Sequence, residues 1–264
     1  MEKTINYFDL KGINAFVTGA SGHIGSKISL GLALHGANVF LNGRNRKDIL
    51  KLHKYFKNNK LKSIPAIFDI RDEKKVKNFF SKNKTIGIIV NNAYEGETGN
   101  FDNYSKTKYK NAFNSGILAL TNIVSEAKKT LINSSKKHGH ASIINISSIY
   151  GSISPDPDIY KNTKLSNPPY YGVVKAGVEQ FTRYAAVNLA KYNINVNSIS
   201  PGAFPNEKIK NKNKKFIAKL KKKIPMRRIG TPKDIITSIL FLASKDSAYV
   251  TGVNIKIDGG WSIW

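Results

Sequence analysis

Tyr171 and Lys175 stand four residues apart. On a helix that spacing puts a phenol and an ammonium on one face, and a nearby positive charge favours the phenolate. Such a pair could take the proton from an alcohol as hydride leaves its carbon, or return one to a carbonyl in the reverse direction. The same spacing recurs at Tyr104/Lys108 and Tyr160/Lys164, so it does not choose among the three. The neighbours do. Gly172, Val173, Val174, Ala176, Gly177 and Val178 would hold Tyr171 and Lys175 rigidly against a core, whereas the other two pairs sit in polar, lysine- or proline-flanked segments and read as solvated chance matches.

Hydride chemistry needs a carrier, and one loop is suited to holding it. Thr18 ends an apolar run and leads through Gly19, Ser21, Gly22, His23 and Ile24 to Gly25, where a helical pattern starts. Absent side chains let a backbone approach a pyrophosphate, and a helix N-terminus offers N–H groups and partial positive charge. The context points to a dinucleotide; the competing reading is a tight turn without ligand. After the second apolar run come Asn42, Gly43, Arg44, Asn45 and Arg46. No carboxylate is available there for ribose hydroxyls, and a guanidinium could pair a 2′-phosphate. NADP(H) is therefore favoured, with NAD(H) as the alternative.

These residues need a frame. Strands are expected at Ile13–Thr18, Asn38–Asn42, Ser63–Phe68, Ile86–Val90, Ser142–Ser147, Ile194–Ile199 and Asn254–Ile257. Helices are expected at His23–His35, Arg46–Asn58, Asp72–Ser81, a long one within Asn103–Ser135, Tyr170–Tyr192 and Pro232–Ala243. The alternation predicts an α/β fold: a Rossmann-like, doubly wound, seven-stranded parallel sheet with helices on both faces. Residues 1–264 read as one domain. Two segments, about 154–167 and about 203–224, interrupt the rhythm at the carboxyl edge of the sheet, where ligands bind in such folds.

Composition narrows the classes further. There is no cysteine, which excludes disulfides and thiolate chemistry, and the five histidines form no helical ligand pair, so no metal site is expected. No apolar run approaches the roughly 18 residues of a membrane span, and a cytoplasmic location is expected. The formal charge of +26 suggests a polyanion partner, but the lysines are scattered and no groove-reading motif accompanies them, which argues against nucleic acid.

Taken together the motifs resemble the short-chain dehydrogenase/reductase family, and the resemblance covers almost the whole chain. Asn91, Asn92 and Ala93 resemble its Asn-Asn-Ala-Gly motif, with Tyr94 in place of the glycine. Its glycine loop differs here, His23 standing where glycine is usual, a spacing closer to the longer, sugar-nucleotide-modifying branch. The resemblance implies that Gly19, Ser21, His23, Ile24, Gly25, Arg44, Asp69, Ile70, Asn92, Ala93, Pro201 and Gly202 hold the cofactor together with Tyr171 and Lys175. It makes Ser148, Tyr171 and Lys175 catalytic, with Ser147 the less favoured serine. The family's catalytic asparagine has no counterpart: Phe113 falls in its register, and Asn111 and Asn114 fall beside it. The C-terminal third implies a homo-oligomer, tetramer or dimer.

The segment 203–224 corresponds to the family's substrate lid and carries nine lysines: Lys208, Lys210, Lys212, Lys214, Lys215, Lys219, Lys221, Lys222 and Lys223. They could steer an anionic substrate; alternatively they are the solvated face of a helix with Phe216, Ile217 and Leu220 inward. The substrate reads as a sugar- or polyol-type alcohol or ketone. The alternatives are a 3-oxoacyl-carrier-protein reductase and, from another class, a non-catalytic cofactor-binding regulator or basic scaffold.

Overall fold

Alternate residues of Asn14–Val17 (β1) part to opposite sides of a sheet. Ala15 and Val17 join one apolar core, while Phe16 joins the other. That two-residue period is what strand geometry demands when both faces are covered. In the computed structural model, which describes residues 7–102, 104–161, 163 and 165–264, six more strands follow: β2 (Asn38–Gly43), β3 (Ser63–Ile67), β4 (Ile88–Asn91), β5 (Ala141–Ile146), β6 (Ile194–Pro201) and β7 (Asn254–Ile257). All pairings are parallel, in the order β3-β2-β1-β4-β5-β6-β7. The chain runs outward from β1 to β3, then returns to β4 and runs the other way. The crevice between β1 and β4 is the switch point where a doubly wound sheet binds its ligand.

The helices are α1 (Gly25–Leu34), α2 (Arg46–Asn58), α3 (Glu73–Lys82), α4 (Lys106–Phe113), α5 (Ala119–His138), α6 (Pro157–Tyr160), α7 (Pro169–Leu189), α8 (Glu207–Lys212), α9 (Lys214–Lys223) and α10 (Lys233–Ala243). Side-chain caps start several: Asn45 accepts from Asp48 N–H, Asp72 from Lys75 N–H, Ser105 from Lys108 N–H. Gly139, in the left-handed region at φ +81°, closes α5. Residues of α1, α2 and α10 fill one core, including Ile28, Leu32, Ile49, Phe56, Ile235 and Ile239. Residues of α3, α5 and α7, among them Val76, Phe80, Ile123, Leu131 and Ala185, fill the other.

The seven expected strands are present, each displaced by a few residues at most. The long helix differs from expectation. A π-helical turn at Asn114–Leu118 divides it into α4 and α5, and Asn103, the outer bound of the expected range, lies outside the described residues. Ser115 Oγ approaches Asn111 O at 3.0 Å and Ala112 O at 3.3 Å, a local bond that competes with the helical ladder. Gly116 brings this turn against α7: a Cβ there would meet Val174 Cγ1 at 2.4 Å. The helix expected to reach Tyr192 stops at Leu189 and ends in a 3₁₀ turn. Among the described residues no helix is long and apolar enough to cross a membrane.

Candidate active site

At the carboxyl ends of β1, β2, β3 and β4 lies a groove of about 840 Å³. Gly19, Ser21, His23, Ile24 and Gly25 line it from the first turn, Arg44 from the second strand, Asp69 and Ile70 from the third, and Asn92 and Ala93 from the fourth. The turn is tight. Gly19 takes φ +62°, and a Cβ on Gly25 would meet Gly19 O at 2.2 Å and Asn92 Nδ2 at 2.7 Å. Thr18, not marked from sequence, locks the loops together: its Oγ1 accepts from the N–H groups of Asn92 and Ala93, both at 2.9 Å. Asn92 Nδ2 donates back to Thr18 O at 2.9 Å. A glycine floor at the start of a ten-residue helix, with no side-chain cap on it, fits a pyrophosphate. The residues present therefore suit a dinucleotide.

The end of this groove bounded by the loops after β2, β3 and β4 holds a charged cluster that sequence patterns did not reveal. Arg71 Nη2 lies 2.6 Å from Asp69 Oδ2, and Arg71 Nη1 lies 2.8 Å from Glu95 Oε2. Arg44 pairs with the same carboxylate, at 2.9 Å and 3.3 Å. The Arg71 hydrogen bond is the main reason the Asp69 carboxyl titrates below its ordinary range.

Ser148, Tyr171 and Lys175 come together beside the groove. Ser148 follows β5, is buried, accepts from Tyr150 N–H at 3.2 Å and lines one cavity with Tyr171. Its neighbour Ser147 turns the other way, its Oγ lying 2.9 Å from Lys175 O and 3.1 Å from Glu179 Oε1. Lys175 is buried on α7, and its Nζ donates to Ile146 O at 2.8 Å. Burial pulls its pKa down to about 8. The Tyr171 phenol lies above its ordinary value, chiefly through burial, with the Ser148 hydroxyl opposing. This reverses the sequence expectation. The ammonium sits over the phenol ring, 5.7 Å from its centre, and desolvation outweighs what lowers the phenol's pKa.

Tyr94 occupies the space behind this pair. Its ring centre is 5.0 Å from Lys175 Nζ, and it meets the Tyr171 ring edge to face at 5.3 Å. Phe113 packs with Tyr94, Tyr109 and Ile117 against Ala112, Tyr170 and Val174, while Asn111 and Asn114 are exposed. The register of the family's asparagine is thus filled by hydrocarbon.

In front of Ser148 and Tyr171 is a smaller cavity of about 300 Å³, at the low end for small-molecule sites. Gly202 lines it, after Pro201 at the buried end of β6. Tyr150, Tyr160, Asn167 and Trp261 supply its polar and aromatic wall. Asn167 Nδ2 donates to Tyr160 Oη at 2.7 Å, and Tyr160 Oη is 2.9 Å from Tyr150 Oη. The reading of Tyr160 as a solvated chance match is therefore corrected. It packs on Phe216 at 5.6 Å and belongs to the cavity, whereas its companion Lys164 lies outside the described residues. Tyr104 is exposed in the turn before α4. In the lid, Phe216 and Leu220 point inward, most of the nine lysines point outward, and Lys219 Nζ donates to the carbonyls of Asp158 and Lys161.

A family model described as Enoyl-(Acyl carrier protein) reductase matches residues 19–262. The chain is 27% identical to gluconate 5-dehydrogenase of Gluconobacter oxydans (strain 621H) over 97% of both chains. It is 29% identical to the 3-oxoacyl-[acyl-carrier-protein] reductase FabG of Buchnera aphidicola subsp. Schizaphis graminum, over 93% of this chain and 96% of that one. Among solved structures it is similar to a gluconate 5-dehydrogenase from Burkholderia cenocepacia J2315 in complex with NADP and tartrate, with 25% identity, a TM-score of 0.85 and 97% of both chains covered.

Proposed function

The chain belongs to the short-chain dehydrogenase/reductase family and is an NAD(P)-dependent oxidoreductase, and we propose that it interconverts a secondary alcohol and a ketone on a neutral sugar- or polyol-type substrate. The observation that carries this reading is the convergence of Ser148 and Tyr171 on the hydroxyl-lined cavity, with the buried Lys175 ammonium 5.7 Å from the Tyr171 ring centre, beside the glycine-floored groove.

The groove residues would hold a dinucleotide whose nicotinamide would supply or take up the hydride. Tyr171 gives its proton to the carbonyl oxygen in reduction and receives the alcohol proton in oxidation. Ser148 orients that oxygen by hydrogen bonding. Lys175 provides a buried positive charge beside the phenol and contacts the cofactor ribose. The predicted first-turn residues, with Asp69, Ile70, Asn92, Ala93, Pro201 and Gly202, form the remaining cofactor contacts. Two guanidinium groups, Arg44 and Arg71, stand at the adenosine end, which favours NADP(H), as does the NADP complex of the Burkholderia relative.

Among the described residues lining the small cavity there is no lysine or arginine. This supports a neutral polyhydroxylated substrate over an anionic one, since aromatic faces and hydroxyl groups are what a sugar ring or polyol chain can use. All strands lie in one sheet, which supports a single domain with residues 203–224 as its lid. Exposed apolar side chains on α7 (Val173, Tyr184, Val187) and near the C-terminus (Tyr249, Ile263, Trp264) support a homo-oligomer of two or four chains. A cytoplasmic setting, where reduced nicotinamide is maintained, completes the proposal. Steady-state oxidation of NADPH with a panel of neutral ketoses, keto-aldonates and an acetoacetyl thioester tests it. The neutral ketoses are expected to give the highest kcat/KM; preference for the thioester would transfer the assignment to acyl reduction.

A further inference from the structure

The carboxylate of Glu95 sits where two arginines converge. Arg44 leaves the end of β2 and Glu95 follows β4, with β1 and its glycine turn between them. Their side chains bridge that turn by two bonds, at 2.9 Å and 3.3 Å. Arg71, from beyond β3, adds a third contact to Glu95 at 2.8 Å while its other edge is held by Asp69. The position of Glu95 is set by its backbone, whose N–H donates to the buried Ser115 Oγ at 3.1 Å. All four charged side chains line the cofactor groove.

We infer that Glu95 is a specificity-determining residue for the cofactor: a tethered anion that occupies the Arg44 fork and Nη1 of Arg71 and must yield them to a 2′-phosphate. The inference rests on the NADP(H) reading and adds a competitor to it. A planar guanidinium fork accepts a carboxylate or a phosphate, not both at full strength. A cofactor with a 2′-phosphate would displace Glu95 and pair the freed Arg44 fork and Arg71 Nη1, while Asp69 keeps the other edge of Arg71. A cofactor with a 2′-hydroxyl offers them nothing and leaves the bridge closed. Because Arg44 and Glu95 are about half exposed, the bridge is weak enough to open, and its removal is worth about fivefold in affinity.

Calorimetric titration of the full chain with adenosine 2′,5′-bisphosphate and with adenosine 5′-monophosphate tests this without turnover. Glu95→Gln is expected to bind the bisphosphate about fivefold more tightly than the wild type, with the monophosphate changed by less than about twofold. Adding Arg44→Ala should remove the gain. Glu97→Gln, which neutralises a carboxylate paired instead with Lys108, measures the effect of net charge alone and should leave both affinities nearly unchanged. Equal tightening by Glu97→Gln, equal tightening of both probes, or no tightening overturns the assignment to Glu95. The two readings fail differently. If neither the wild type nor Glu95→Gln prefers the bisphosphate, the NADP(H) reading falls as well; a wild-type preference that Glu95→Gln does not enhance removes only the role of Glu95.

Discussion

The Lys175 ammonium lies 5.0 Å from the centre of the Tyr94 ring and 2.8 Å from the carbonyl of Ile146. One face of the buried charge is thus met by an aromatic quadrupole. Tyr94 stands where the resemblance leads one to expect glycine, so this contact is a property of this chain. Among the described residues its Oη has no hydrogen-bond partner, and burial raises its pKa well above the ordinary tyrosine value, so the ring acts as a neutral surface. Loss of the Lys175 proton near pH 8 should appear as a basic limb in the kcat/KM profile for ketone reduction. Tyr94→Leu removes the attraction for the ammonium and should move that limb down by about half to one pH unit. Tyr94→Phe keeps the ring and should leave it in place. Identical limbs in all three proteins would dismiss the contact.

The same lysine predicts a stability trend. Its folded-state pKa is about 8, below the ordinary 10.5, so the unfolded chain binds more protons between those values and stability contributed by this group rises with pH there. Below pH 8 the full cost of burying the charge applies. Urea denaturation from pH 7.5 to 10.5 should show wild type gaining stability relative to Lys175→Met. Parallel curves would mean that the ammonium is not desolvated.

Glu179 shows how the site is braced from behind. It lies one turn beyond Lys175, is buried, and has Ser147, Ser152 and Ser200 hydroxyls within 3.0 to 3.1 Å of its carboxylate. These serines belong to the end of β5, the turn after it and the end of β6, so one carboxylate ties together the walls of the cavity. Glu179→Ala removes an acceptor shared by the buried Ser147 and Ser200 hydroxyls and the exposed Ser152, and should lower unfolding free energy by about 1–3 kcal/mol in chemical denaturation. A loss under about 0.5 kcal/mol would show that the serines find other partners.

On the substrate side, Tyr160→Phe removes the hydroxyl shared by Tyr150 and Asn167. One hydrogen bond of this kind is worth about 1 kcal/mol, so kcat/KM for a neutral ketose should fall about fivefold while NADPH affinity stays unchanged. An unaltered kcat/KM would place the substrate elsewhere.

How much of this could be read in advance depends on whether the signal is local. The apolar runs around Phe16, Val39, Ile89, Ile143 and Val196 carry the sheet because a strand buried on both faces needs little else. The small residues after Tyr171 distinguish its helix, and the glycines before α1 mark the groove, since both are requirements of backbone packing. The Arg44–Glu95–Arg71 cluster has no such signature: its members are joined across three strand ends by side-chain geometry alone. Tyr160 was misjudged because its polar neighbours suggested solvent, whereas the ring is buried by Phe216 from the lid, 56 residues away. The π turn at Asn114–Leu118 is equally hidden, since Gly116 within it packs closely against Val174 of another helix.

The central claim is that the Tyr171 phenol exchanges the proton that accompanies hydride transfer. Single-turnover NADPH oxidation with a saturating ketone, comparing wild type with Tyr171→Phe, tests it most directly, with NADPH affinity measured on both proteins by fluorescence titration. Loss of the acid should slow the chemical step by about 10²–10⁴-fold with affinity within about threefold, since the ring and its packing against Tyr94 remain. A transfer rate within about tenfold of wild type would contradict the assignment and require another proton donor in the cavity.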